Sequence, residues 1–139
     1  MRKGFTLIEV LAVVALIGVV ALVITPMGIN VYNSAREKTV LMTAERLVEA
    51  TDTYIKNYEI EYGKPLLNAI LEIKNHEIEN NPLELSGKLP QSGMIYIKDG
   101  SVAIVIYNSG ICAYKNYNQG VATASSMIES ECAYDKIFY

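Results

Sequence analysis

The sequence predicts an α+β fold: a long N-terminal helix, membrane-spanning in its first half, packed on a small antiparallel sheet of about three strands. Three observations predict it. Between Glu9 and Arg36 no residue carries a formal charge, and nearly every residue up to Ile24 is apolar. From Arg36 the charges return, yet apolar residues still recur at three- and four-residue steps as far as Tyr58. After Gly63 the pattern changes to short β-rich runs separated by turn residues. The chain has 139 residues, room for one modest domain beyond the helix.

The organisation follows in order: residues 1–4 as a leader, 5–29 as the membrane half of the helix, 30–62 as its amphipathic half, and 63–139 as a globular region. Phe5 to Ile24 is 20 residues, about 30 Å as a helix, which matches a bilayer's hydrocarbon core. Arg2 and Lys3 precede it, so the positive-inside tendency puts the N-terminus in the cytoplasm and the C-terminal region outside. A secretory signal peptide would place a small-residue cleavage site after the apolar run. Thr25-Pro26-Met27-Gly28 is a poor match to one, and the helical pattern continues through it.

Glu9 is the exception in this segment. A carboxylate within a spanning helix costs a few kcal/mol and is usually paired. Either Glu9 has a partner with a function, or it lies close enough to the helix end to reach the interface. Gly18 costs roughly 1 kcal/mol against Ala, and Pro26 cannot donate to the Leu22 carbonyl, so a bend or unwinding is expected between them. The alternative is a kink of the kind membrane helices tolerate.

In the second half, Val40, Leu41, Ala44, Leu47, Val48, Thr51, Tyr54, Ile55 and Tyr58 form one apolar stripe. With no breaker between Pro26 and Gly63, a single helix of about 50 residues is expected, ended by Gly63-Lys64-Pro65. Leu66 to Lys74 suggests a short helix, and Asn75 to Pro90 a loop. Met94–Lys98 and Val102–Tyr107 read as strands joined by a tight Asp99-Gly100 turn, and Ile111–Lys115 as a third strand after Asn108-Ser109-Gly110. Val121 to Glu131 fits a short helix or an irregular segment.

Cys112 and Cys132 have nineteen residues between them and no C-x-x-C spacing. In an exported region a disulfide is the expectation, with two buried thiols as the alternative.

Other chemistry is missing. His76, with Glu72, Glu77 and Glu79, is too sparse a set for a metal and reads as solvated surface. Asp99 and Asp135 do not make a cation site either. Ser109-Gly110 lacks the context of a nucleophile elbow, and there is no Gly-rich phosphate loop. No enzyme, cofactor, metal or small-molecule substrate is therefore expected. The net charge of −3 becomes −5 on loss of Arg2 and Lys3, which argues against direct nucleic-acid binding.

Lys3-Gly4-Phe5-Thr6-Leu7-Ile8-Glu9 resembles the class III signal sequence of type IV prepilins and pseudopilins: a basic leader ending in Gly, then Phe-Thr-Leu-Ile-Glu opening an apolar helix. Gly18 and Pro26 also fall where bacterial members often carry helix-weakening residues. The resemblance rests on residues 1 to about 35, extends along the helix to about Tyr58, and is only architectural beyond. It implies cleavage after Gly4 by a prepilin peptidase, N-methylation of Phe5, and pairing of Glu9 with the Phe5 amine of a neighbouring subunit. The implied partners are further copies or related pilins in a helical filament, membrane lipid before assembly, and an inner-membrane assembly platform with its ATPase. The implied location is the cytoplasmic membrane and then an extracellular or envelope filament, whether a retractable pilus, a secretion pseudopilus or a competence fibre. The alternative is an anchored extracellular binding protein that never polymerises.

Overall fold

A computed structural model describes residues 4–132. Arg2 and Lys3 of the leader, and Asp135 near the C-terminus, lie outside the described residues. The chain divides into two units, up to Ala35 and from Arg36.

Helix α1 runs unbroken over Leu7–Tyr62, 56 residues. Thr6 opens it, its carbonyl accepting the N–H groups of Glu9 (3.0 Å) and Val10 (3.2 Å). Gly63 closes it at φ 63°, a conformation that costs Gly little, and donates its N–H to the Glu59 carbonyl at 2.9 Å. Pro65 prevents continuation.

In the second unit the α1 stripe buries Val40, Ala44, Leu47, Thr51 and Ile55. Thr51 is tolerated there because its hydroxyl donates to the Leu47 carbonyl at 2.7 Å. The partner is an antiparallel sheet of β1 (Asn68–Lys74), β2 (Glu77–Ile78), β3 (Ser92–Lys98), β4 (Ser101–Asn108), β5 (Ile111–Lys115) and β6 (Thr123–Ser126). The spatial order is β2-β1-β3-β4-β5-β6. Pairing places Leu71 opposite Ile95, Ile95 opposite Ile104, and Ile106 opposite Ala113, so alternate residues of each strand meet the helix stripe in one core.

The expected α+β architecture holds, but among the described residues the sheet has six strands rather than about three. The segment 66–74, expected as a short helix, is mostly β1. Its Leu67, Ile70 and Leu71 spacing imitates a helix, yet Ala69, Leu71 and Ile73 alternate toward the core once the chain pairs with β3. The loop expected over 75–90 contains the two-residue strand β2, and the ambiguous segment 121–131 contains β6. The three strands read from sequence are β3, β4 and β5.

Three two-residue connections have positive φ at both positions, as type I′ hairpin turns require. They are Asn75-His76 (50°, 66°), Asp99-Gly100 (50°, 76°) and Ser109-Gly110 (51°, 83°). Each matches the right-handed twist of the strands it joins.

The sheet's other face carries a second cluster in which Val105, Cys112 and Cys132 pack with Tyr107, Tyr114 and Met127. The segment after β6 is held there by the Met127 N–H on the Gly110 carbonyl (3.1 Å) and the Ser92 hydroxyl on Glu129 Oε1 (2.7 Å). A disulfide joins Cys112 to Cys132, with Cα atoms 5.7 Å apart. This settles the two cysteine alternatives in favour of the bond, which stabilises the fold by roughly 3 kcal/mol for a loop of this length.

Candidate functional site

No residue from Gly4 to Ala35 is buried. Large apolar side chains stand open around the whole helix circumference; Leu7, Leu16 and Leu22 are 86%, 69% and 78% exposed. Among the described residues, α1 is long and apolar enough to cross a membrane by length and composition. A helix apolar all round has no solvent-facing side and needs apolar surroundings in every direction. That is the physical demand this segment makes.

Glu9 sits at the third helical position, with Thr6 as N-cap. Its Oε2 accepts the Thr6 backbone N–H at 3.3 Å and the Thr6 hydroxyl at 3.4 Å. Thr6-Leu7-Ile8-Glu9 is thus a capping box in sequence, with the Glu side of the exchange in place. The carboxylate also lies where the helix dipole favours negative charge. Sequence reasoning had the signal, Thr followed three residues later by Glu, and passed over it. Both contacts are longer than a strong charge-assisted hydrogen bond, so a better donor, an ammonium above all, would displace them.

Gly4 and Phe5 precede the helix, and Phe5 is 77% exposed. Gly18 and Pro26 both lie inside α1, which is continuous through them. One turn is nonetheless altered. Pro26 offers no N–H to the Leu22 carbonyl, and the Thr25 hydroxyl donates to the Ala21 carbonyl at 2.6 Å.

The second unit holds the disulfide. His76 is half-buried rather than fully solvated: its Nδ1 lies 2.7 Å from the Leu89 carbonyl, and its backbone N–H donates to Gln91 at 3.4 Å. It straps the 79–91 segment to the β1–β2 turn. No group of three or more His, Cys, Asp or Glu suited to a metal occurs among the described residues. Burial pushes the Tyr117 phenol above its usual 10.0.

A family model for the prokaryotic N-terminal methylation motif matches residues 1–25. The chain is 27% identical over 112 residues to the type IV major pilin protein PilE1 of Neisseria gonorrhoeae, an alignment covering 80% of this chain and 61% of that protein. The chain thus spans about three fifths of that relative's length. No solved structure gives a significant match. Both comparisons bear out the resemblance to the type IV pilin family that Lys3-Gly4-Phe5-Thr6-Leu7-Ile8-Glu9 carries in the sequence.

Proposed function

We propose that this chain is a structural subunit of a type IV pilus-like filament, polymerised through the first half of α1. The observation that carries the reading is an apolar helix with no buried residue before Arg36, holding one carboxylate, Glu9, at its start. The match to the methylation motif over the same residues supports it.

Before assembly the chain is a single-pass protein with Arg2 and Lys3 on the cytoplasmic side. A prepilin peptidase cuts after Gly4, and Phe5 becomes the methylated N-terminus. The apolar helix then leaves lipid for the filament interior, drawn by an assembly platform and its ATPase. In that interior Glu9 exchanges its long contacts with Thr6 for the Phe5 ammonium of a neighbouring copy. Each charge removes the other's desolvation penalty, and a subunit out of register would leave both unpaired. Gly18 and Pro26 weaken the helix where close packing or extension under load requires it. Nothing in this scheme needs a catalytic group, cofactor or small-molecule substrate.

Intact mass and N-terminal analysis of native protein from sheared filaments tests the proposal. A chain beginning at methylated Phe5, enriched in the filament fraction, is expected. A chain retaining residues 1–4 and confined to membranes would favour a non-polymerising anchor.

A further inference from the structure

We propose that the groove between the end of α1 and segment 82–84 binds an extended basic peptide, with Lys or Arg at alternate positions facing a ladder of three tyrosines. The inference does not depend on the filament reading.

Tyr54, Tyr58 and Tyr62 recur at four-residue steps and therefore share one face of α1. Their rings follow one another at centroid separations of 6.4 Å and 4.6 Å, tilted by 56° and 33°. Tyr54 leans on the core, Tyr58 is half-buried and Tyr62 is 58% exposed, so the ladder climbs from the interior to the surface. Pro82 and Leu83 form the facing wall. Leu83 is buried and anchors it, and the Glu84 N–H on the Asn81 carbonyl at 3.2 Å fixes its turn. The recess between ladder and wall is open.

Charge selects the occupant. Glu61 and Glu84 line the groove, no Lys or Arg does, and neither carboxylate is in an ion pair among the described residues. The last turn of α1 contains no basic residue, although the negative end of the helix dipole lies there and Glu59 and Glu61 add to it. Carboxylates, terminal carbonyls and aromatic faces all attract the same species, a cation. Arg suits the site best, since its guanidinium stacks on a ring while its fork meets a carboxylate. Alternate side chains of an extended peptide are about 6.6–6.8 Å apart, close to the 6.4 Å step from Tyr54 to Tyr58, so residues i and i+2 match those two rings, while Tyr62 stacks on Tyr58 at 4.6 Å and extends the aromatic surface.

The test is a titration of the full-length chain in nonionic detergent micelles with a fluorescein-labelled peptide of alternating Arg and Gly. An alternating Glu and Gly peptide and a neutral chitin disaccharide serve as comparison ligands. Saturable binding of the Arg peptide that weakens as salt rises is expected. Tyr62→Ala, which changes an exposed residue and leaves the core intact, and Glu61→Gln/Glu84→Gln should each weaken it about tenfold or more. The charge-matched Glu45→Gln/Glu131→Gln variant should bind as the unaltered protein does. Absence of binding, equal weakening by the charge-matched variant, or preference for the disaccharide would overturn the proposal.

Discussion

The two halves of α1 differ in where their apolar residues point. From Arg36 onward most apolar residues keep to one stripe, which buries Val40, Ala44, Leu47, Thr51 and Ile55; Met42 and Ile60 stand off it, exposed, with the charged residues. Before Arg36 apolar residues surround the axis and none is buried. A one-sided stripe is satisfied by a single surface, here the sheet of the same chain. An all-round apolar helix is satisfied only by apolar surroundings on every side, which a domain of this size does not supply. The helix therefore changes partner along its length, and the return of charge at Arg36, Glu37 and Lys38 marks the change. Anchoring contacts begin at the same place: the Arg36 guanidinium donates to the Ser109 carbonyl, and the Ser126 hydroxyl donates to Glu37 Oε1 at 3.1 Å.

The largest expected difference comes from one substitution made in both halves. Leu47→Ala empties a fully buried site and should cost about 2–5 kcal/mol in denaturant unfolding followed by tyrosine near-UV signals. Leu16→Ala, at a 69% exposed position of the first half, should leave that unfolding curve unchanged. Equal losses would break the comparison. Replacing Cys112 and Cys132 together by Ser should cost roughly 3 kcal/mol in the same assay, all of it in the second unit.

Glycines sharpen the contrast at smaller scale. A Cβ on Gly93 would lie 2.7 Å from the Val105 carbonyl oxygen and 2.9 Å from Ile106 Cγ2, so Gly93→Ala should destabilise the sheet by about 1–3 kcal/mol. Gly100→Ala and Gly18→Ala meet open space and should have opposite signs. The first imposes a side chain at φ 76° and should lower stability by about 1 kcal/mol. The second removes a poor helix former and should raise helicity in detergent, by roughly 1 kcal/mol, as circular dichroism on heating would record.

What could be read from the sequence follows from how local each determinant is. The helix stripe, its Gly63 stop and the turns Asp99-Gly100 and Ser109-Gly110 are decided within a few residues, and all were legible. Strand β1 was not, because Leu67, Ile70 and Leu71 fit a helix and only pairing with β3 decides between the two. The β1–β2 turn was hidden by His76, an unusual residue where Gly is preferred. Strand β6, Thr-Ala-Ser-Ser, has no apolar alternation of its own and owes its conformation to the β5 ladder. At the candidate site, the run from Gly4 through Glu9 was legible as a motif, and its Thr-x-x-Glu spacing also carried the capping box, whereas the length of the Glu9–Thr6 contacts depends on the folded helix start. That contact gives the carboxylate a resting partner at its own helix start, which the filament reading requires it to leave.

Glu9→Ala tests this account most directly, scored by membrane insertion and by recovery in sheared filaments from cells expressing the variant. Losing the first-turn carboxylate's local role alone would cost about 0.3–1 kcal/mol at the helix start and leave both readouts near normal. The account predicts normal insertion, since a carboxylate is removed from the spanning segment, and loss of the chain from the filament fraction. Normal recovery of Glu9→Ala in filaments would contradict it.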